Sequence, residues 1–139
     1  MNKMIWSDDY SVGNKTLDEQ HQKILCLINT LQEHVNHSVE HKVITETLYE
    51  MIKYSNQHLG YEESLLNELG YSGLGEHKKS HYHYLQKIAE IAIEASDELK
   101  DQVAFEELLL FLQSWWTNHV LVEDMEYKAF LESKNCSEE

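Results

Sequence analysis

Apolar positions recur every three or four residues along four stretches of the chain, with polar positions between them, which predicts amphipathic helices. The first starts near Thr16–Asp18, where Thr16 and Glu19 form a capping-box pattern, and carries His21, Ile24, Leu25, Ile28, Leu31 and Val35 before fading at Asn36-His37-Ser38. The second spans about Glu40 to Leu69, with an inner face of Ile44, Leu48, Met51, Ser55, His58, Glu62, Leu65 and Leu69. Gly60 interrupts it at a cost of about 1 kcal/mol against Ala, which points to close approach by a neighbouring element. Gly70 to Gly75 is the clearest loop. A third helix follows from about Glu76 to Ala95, facing inward with His77, His81, Leu85 or Tyr84, Ile88 and Ala92. After a polar turn at Ser96–Lys100, a fourth starts near Asp101 with Phe105, Leu108, Leu112, Trp115 and His119, and helical propensity continues through Met125–Leu131.

The ends lack this period. The first sixteen residues carry Trp6 and Tyr10 and predict an arm that lies over the helices and buries both rings. Ser133–Glu139 reads as a frayed tail. The short connections around Ser38–Val39 and Ser96–Lys100 make sequential helices antiparallel neighbours. The expected fold is all-α: an up-down-up-down antiparallel four-helix bundle with an N-terminal extended arm. It forms one domain, with the arm at 1–16, the bundle at about 17–132 and the tail at 133–139.

Composition narrows the picture. There is no Pro and there are only five Gly in 139 residues, which disfavours turn-rich β architectures. A formal net charge of −14 argues against nucleic acid and against an anionic membrane surface. Cys26 and Cys136 lie far apart, so no disulfide framework is indicated and a reducing, cytoplasmic setting is expected. The opening MNKMIWSDDY has no apolar core of a secretory signal, and no apolar run reaches membrane-spanning length. The helices show no long apolar stripe on their outer faces, so a monomer is expected.

The chemistry sits on the inner faces. Residues four apart share a helix face, so His58 and Glu62 point together, as do His77 and His81. A carboxylate on an apolar face must be paired or bound to a metal. Nine His and many Glu would give about one HxxxH and one HxxxE by chance. His37 and His41 are such a match, straddling a turn, and read as solvated; His34 and His83 fall off the inner faces. Chance does not readily place ligand-rich inner positions on every helix at one end of the bundle. There His21 and the His77–His81 pair lie early in their helices, and His58, Glu62 and His119 lie late in theirs. The seventh donor is open on spacing alone. Glu123 lies four residues after His119; Asp124, five after, is about 140° off that face of an ideal helix and reaches the centre only if the helix ends, kinks or widens. Imidazole plus carboxylate suits iron, zinc, copper or manganese, and seven donors are too many for one ion.

These motifs resemble the hemerythrin family over nearly the whole chain, and specifically its single-domain bacterial members. IWSDDYSVGNKTLDEQHQKIL resembles the family's Trp-led arm and Asp-x-x-His helix start, with Asp18 and His21 matching. HLGYEE resembles its HxxxE, HKKSH its HxxxH and WWTNHVLVED its HxxxxD. The resemblance selects Asp124 over Glu123. It implies two iron ions with a solvent-derived oxo or hydroxo bridge. One would be held by His77, His81 and His119 and the other by His21 and His58, with Glu62 and Asp124 bridging. Dioxygen binds the family's five-coordinate iron, here the one on His21 and His58. Ile24, Leu59, Trp116 and Val120 would then wall the oxygen pocket, although packing alone also explains apolar side chains there. Trp116 departs from the Leu common in the family three residues before the fourth-helix His, and Trp116→Leu is expected to change the dioxygen on-rate or autoxidation.

The expected function is therefore reversible dioxygen binding for carriage, storage or delivery, without enzymatic turnover, served by a reductase or an oxygen-consuming enzyme. Oxygen sensing through a partner is one alternative. A di-iron enzyme acting on peroxide or nitric oxide is another, although carboxylate-rich ExxH pairs typical of such enzymes are missing.

Overall fold

The computed structural model describes residues 4–37, 40–95 and 101–138. Helix α1 spans Lys15–Asn36, α2 His41–Leu69, α3 Leu74–Ala95 and α4 Asp101–Asn118; a π-helical segment, His119–Glu123, leads without a break into α5, Asp124–Glu138. Helices α1 and α2, α2 and α3, and α3 and α4 pack pairwise, and α1 closes the ring against α4. This is the expected antiparallel four-helix bundle, with α5 extending the fourth rod. No strand occurs among the described residues. The links expected at Ser38–Val39 and Ser96–Lys100 lie outside them.

Local chemistry explains the boundaries. Asn14, not Thr16, caps α1: its side chain accepts from Leu17 N at 2.9 Å, so the helix begins two residues before the expected bundle edge. Gly70 adopts a left-handed φ of 76°, and Tyr71 N donates back to Leu66 O at 2.9 Å, ending α2 in a Schellman turn. The expected loop is therefore shorter, because Leu74 and Gly75 already belong to α3. A Cβ on Gly60 would meet nothing within 4 Å, so this glycine marks no close approach. With neither Pro nor Gly after Gly75, nothing stops the last helix, and it runs through most of the expected tail to Glu138.

The buried faces are mostly those the periodicity predicts. On α2 the face continues from Glu62 to Leu66, leaving Leu65 and Leu69 half-buried; on α3 Tyr84 rather than Leu85 is buried; on α4 Trp116 is buried and Trp115 half-buried. In each case the helix phase, set by i+3 and i+4 steps from the site residues, chooses between neighbours. Leu110, Leu121 and Val122 stand exposed on the last helix, an apolar strip that its sequence pattern does not announce.

The core falls into two clusters. The larger contains Ile24, Leu59, Trp116 and Val120; the smaller contains Val12, Leu17, Leu66, Tyr127 and Leu131. His21 lies between Leu17 and Ile24, Glu62 between Leu59 and Leu66, and Asp124 between Val120 and Tyr127, so the polar layer is closed off by apolar packing above and below. The arm is tied at both ends. Ser11 Oγ and Val12 N donate to the Asp18 carboxylate at 2.5 and 2.9 Å, and the Asn29 amide pairs with the backbone of Met4. Between these ties the arm makes one 3-10 turn, Asp8–Tyr10, so it is not extended throughout. Trp6 and Tyr10 meet edge-to-face at 5.6 Å and are only half-buried, short of the full burial expected.

Candidate metal centre

All seven expected donors meet in the layer between the two apolar clusters. Each is 5% exposed or less. Glu62 Oε1 faces one group of imidazoles, touching His77 Nε2 and lying 3.0 Å from His81 Nε2 and 3.4 Å from His119 Nε2. Its other oxygen faces His58 Nε2 at 3.4 Å and His21 Nε2 at 3.8 Å. Asp124 divides in the same sense: Oδ1 lies 3.0 Å from His119 Nε2 and 3.4 Å from His77 Nε2, and Oδ2 lies 3.0 Å from His21 Nε2. Two ligand clusters result, one of Glu62, His77, His81 and His119 and one of His21, His58 and Glu62.

The π-helical segment is what brings Asp124 inward. Asp124 N donates to His119 O, a five-residue step that widens the helix and returns the fifth residue to the face of the first. The two candidates left open by spacing are placed differently. Asp124 is fully buried in the centre; Glu123 sits outside it, 3.5 Å from His119 Nδ1, and takes a hydrogen bond from Asn118 Nδ2 at 3.1 Å.

These polar atoms converge without satisfying one another. His21 Nε2, His58 Nε2, His81 Nε2, His119 Nε2 and both Asp124 oxygens are buried and make no hydrogen bond. Buried polar groups are rarely left so, and a layer of them aimed at common points fits metal ions as the missing partner. Five imidazoles and two carboxylates, with no thiolate, form a donor set suited to a pair of iron ions. The side chains behind them orient the rings. His58 Nδ1 lies 2.6 Å from Gln20 Oε1 and His81 Nδ1 lies 3.0 Å from Glu63 Oε2, partners that fix which ring nitrogen faces the centre. Tyr127 OH donates to Glu62 Oε2 at 3.0 Å. None of Gln20, Glu63 or Tyr127 was singled out by the sequence.

Charge in this layer is set by competition between burial and partners. Burial disfavours the cationic form of His21, His77 and His119, yet Asp124 and Glu62 outweigh it and raise the first two to about 9 and His119 to about 10. At His58 burial wins, and its pKa falls to about 4. Burial opposes ionisation of both carboxylates; the imidazoles around them prevail, holding Glu62 well below the ordinary range and Asp124 below it. Burial, then the charges of Glu62 and Asp124, push the Tyr127 hydroxyl well up, so it remains a donor.

The apolar residues expected beside the centre are all buried: Ile24, Leu59, Trp116 and Val120. The Trp116 ring lies 5.8 Å from that of His58, and its Nε1 donates to Tyr84 OH at 3.3 Å. Trp115 stacks on His119 at 4.5 Å. The remaining histidines lie apart from the centre. His37 and His83 are exposed, and His34 Nδ1 meets Thr47 Oγ1 at 3.2 Å. His41 is not simply solvated, as the sequence reading had it, because its ring packs half-buried against Phe105 at 5.7 Å.

Comparison with known proteins agrees with this geometry. Residues 12–131 match the family model for the hemerythrin HHE cation binding domain. A bacteriohemerythrin of Pseudomonas paraeruginosa is 30% identical over 129 residues, 91% of this chain and 80% of that one. Another, from Clostridium acetobutylicum, is 27% identical over 88% of this chain and 97% of its own. A crystal structure of a hemerythrin with a leucine-to-alanine substitution superposes with a TM-score of 0.80 at 22% identity, over 93% of this chain and 97% of that one; at such identity the likeness is one of fold. The match begins in the arm at Val12, ends in α5 at Leu131 and takes in every one of the seven converging donors, and the chain belongs to the hemerythrin family.

Proposed function

We propose that the chain binds dioxygen reversibly at a non-haem di-iron centre, as an oxygen carrier or store. The observation that carries this is the division of the two carboxylates. Glu62 and Asp124 each turn one oxygen toward the His77 and His119 side and the other toward the His21 side, the arrangement two bridging ligands require. His77, His81 and His119 would complete one side, and His21 and His58 the other. The second side has one imidazole fewer, so an ion held there by His21 and His58 would have room for an exogenous ligand. A bound iron pair would supply the reversible two-electron chemistry that dioxygen binding needs.

The protein's part is to hold and shield. Gln20 and Glu63 orient His58 and His81, and Tyr127 fixes Glu62. Ile24, Leu59, Trp116 and Val120 form the apolar wall that excludes water and protons from the two-histidine side. Among the described residues no helix is long and apolar enough to cross a membrane. Our reading takes the chain as a single cytoplasmic domain acting as a monomer, kept ferrous by a reductase or serving an oxygen-consuming enzyme.

An anaerobic optical titration tests this. The protein is reduced, freed of reductant, exposed to dioxygen and sparged with argon, with iron measured on the same sample. An absorption band that grows with dioxygen and fades on sparging, with an iron pair per chain, is the expected result. Direct, irreversible oxidation with sustained consumption of peroxide or nitric oxide would make the chain an enzyme instead.

A further inference from the structure

The nitrogens that the imidazoles turn away from the centre meet different groups on its two sides. On the side of His77, His81 and His119, Glu63 Oε2 accepts from His81 Nδ1 at 3.0 Å, and the Glu123 carboxylate faces His119 Nδ1 at 3.5 Å, a charge contact longer than a good hydrogen bond. On the side of His21 and His58, the group behind His58 Nδ1 is the neutral amide of Gln20, whose Oε1 accepts at 2.6 Å, and His21 Nδ1 is buried with no hydrogen-bond partner. Two carboxylates therefore back one side, and an uncharged amide backs the other.

Neither carboxylate belongs to the centre itself. The side chains of Glu63 and Glu123 are 27% and 23% exposed, whereas the seven donors are buried. Solvent reaches part of each, so their charge is carried without the full cost of burial. Glu123 is also held in place: Asn118 Nδ2 donates to its Oε1 at 3.1 Å, which leaves Oε2 for His119. Glu63 follows the buried Glu62 directly, about 100° further round α2, and reaches His81 from the outside.

A negative charge behind an imidazole makes it a stronger donor, and a stronger donor favours the more highly charged state of the ion it holds. A neutral amide orients the ring without that bias. We infer that Glu63 and Glu123 are positioning residues that act through His81 and His119 to set the order of oxidation. The iron held by His77, His81 and His119 is the first to pass from ferrous to ferric, giving one electron to a one-electron acceptor; the iron on His21 and His58 gives up its electron second. The second side is the one with room for an exogenous ligand, so the asymmetry keeps that ion ferrous through the first oxidation. This rests on the di-iron reading above.

A stepwise titration of the reduced, iron-loaded protein with ferricyanide as the acceptor, with the potential read at an electrode and Mössbauer spectra taken at half oxidation, tests the inference. The parent should show two separate one-electron steps, with one ferric and one ferrous ion between them rather than an averaged pair. Glu63→Gln and Glu123→Gln keep the shape of the side chain and remove its charge. Each should shift the first step about tenfold toward the ferrous form, about 59 mV upward, and leave the second nearly in place. Gln20→Glu puts a charge behind His58 from a half-buried position and should move the second step about tenfold the other way. A merely structural role predicts no such pair of opposite shifts. Steps unmoved in variants that keep both irons overturn the inference, as does a Glu63→Gln shift confined to the second step. If the glutamine variants lose iron, Gln20→Glu decides alone. A parent chain that binds no iron pair overturns the proposed function and this inference with it. An iron pair whose steps shift as expected but which never releases dioxygen overturns the carrier role and leaves the order of oxidation standing.

Discussion

Tyr127→Phe isolates one hydrogen bond at the heart of the centre. The hydroxyl donates to Glu62 Oε2 at 3.0 Å, and both side chains are fully buried. Phe keeps the ring and its packing against Tyr71 and His77, so nearly the whole effect is the lost donor. The imidazoles His58 and His21 face Oε2 from 3.4 and 3.8 Å and share its charge without making a hydrogen bond to it. A hydrogen bond to a buried charge contributes about 1.5–3 kcal/mol, and with that partial compensation the metal-free chain should lose about 1.5–2 kcal/mol. Iron gives Oε2 another partner for its charge, so the loaded chain should lose only about 1 kcal/mol. Urea unfolding of the metal-free protein reads the first value, with the midpoint falling and the slope unchanged. Thermal melting of the loaded protein reads the second, a drop of about 3–5 °C for a chain of this size. A metal-free loss below about 0.5 kcal/mol would show that Tyr127 does not support Glu62, and equal losses in both forms would remove iron from the account.

Gly60→Ala should stabilise the protein by about 1 kcal/mol, seen as a melting point roughly 3–5 °C higher, because the new methyl meets nothing and the helix gains propensity. Asp124→Ala should abolish paired iron binding by metal analysis, whereas Glu123→Ala should keep the pair and shed it to a chelator about 10–100-fold faster, as expected for a residue behind a ligand. Iron uptake should also be proton-linked. In the metal-free chain His21 and His77, at about 9, and His119, at about 10, are protonated at neutral pH, while His58, at about 4, is already neutral. Loading at neutral pH should therefore release protons from these three imidazoles, in addition to any lost by a bridging solvent, in a pH-stat; affinity should weaken as pH falls, and the imidazole part of the release should fade as pH rises through those values.

The donors were legible because two independent patterns coincide on them: a helix period that turns them inward and a residue type that an apolar face does not tolerate alone. His58, Glu62, His77 and His81 needed only i+4 spacing. Asp124 did not follow, since that argument assumes α geometry and a π segment has no single-residue signature; only the family resemblance selected it. The supporting residues escaped for a different reason. Gln20, Glu63 and Tyr127 are ordinary polar and aromatic residues, and their roles come from neighbours 38, 18 and 65 positions away. The arm escaped likewise. Asn29 looks like a surface position on α1 until Met4 is laid against it, and Thr16 looked like the cap because the true one, Asn14, stood in a stretch with no period.

The division of Glu62 and Asp124 between the two sides has a consequence for assembly. Neither side owns its carboxylates, so on the proposed reading an ion arriving first would share both with a place still empty and would fix there the very oxygens its neighbour needs. A second ion would then meet carboxylate oxygens already ordered. Loading is therefore expected to be cooperative, with chains holding a single ion scarce at every stage. The centre would be gained or lost as a pair.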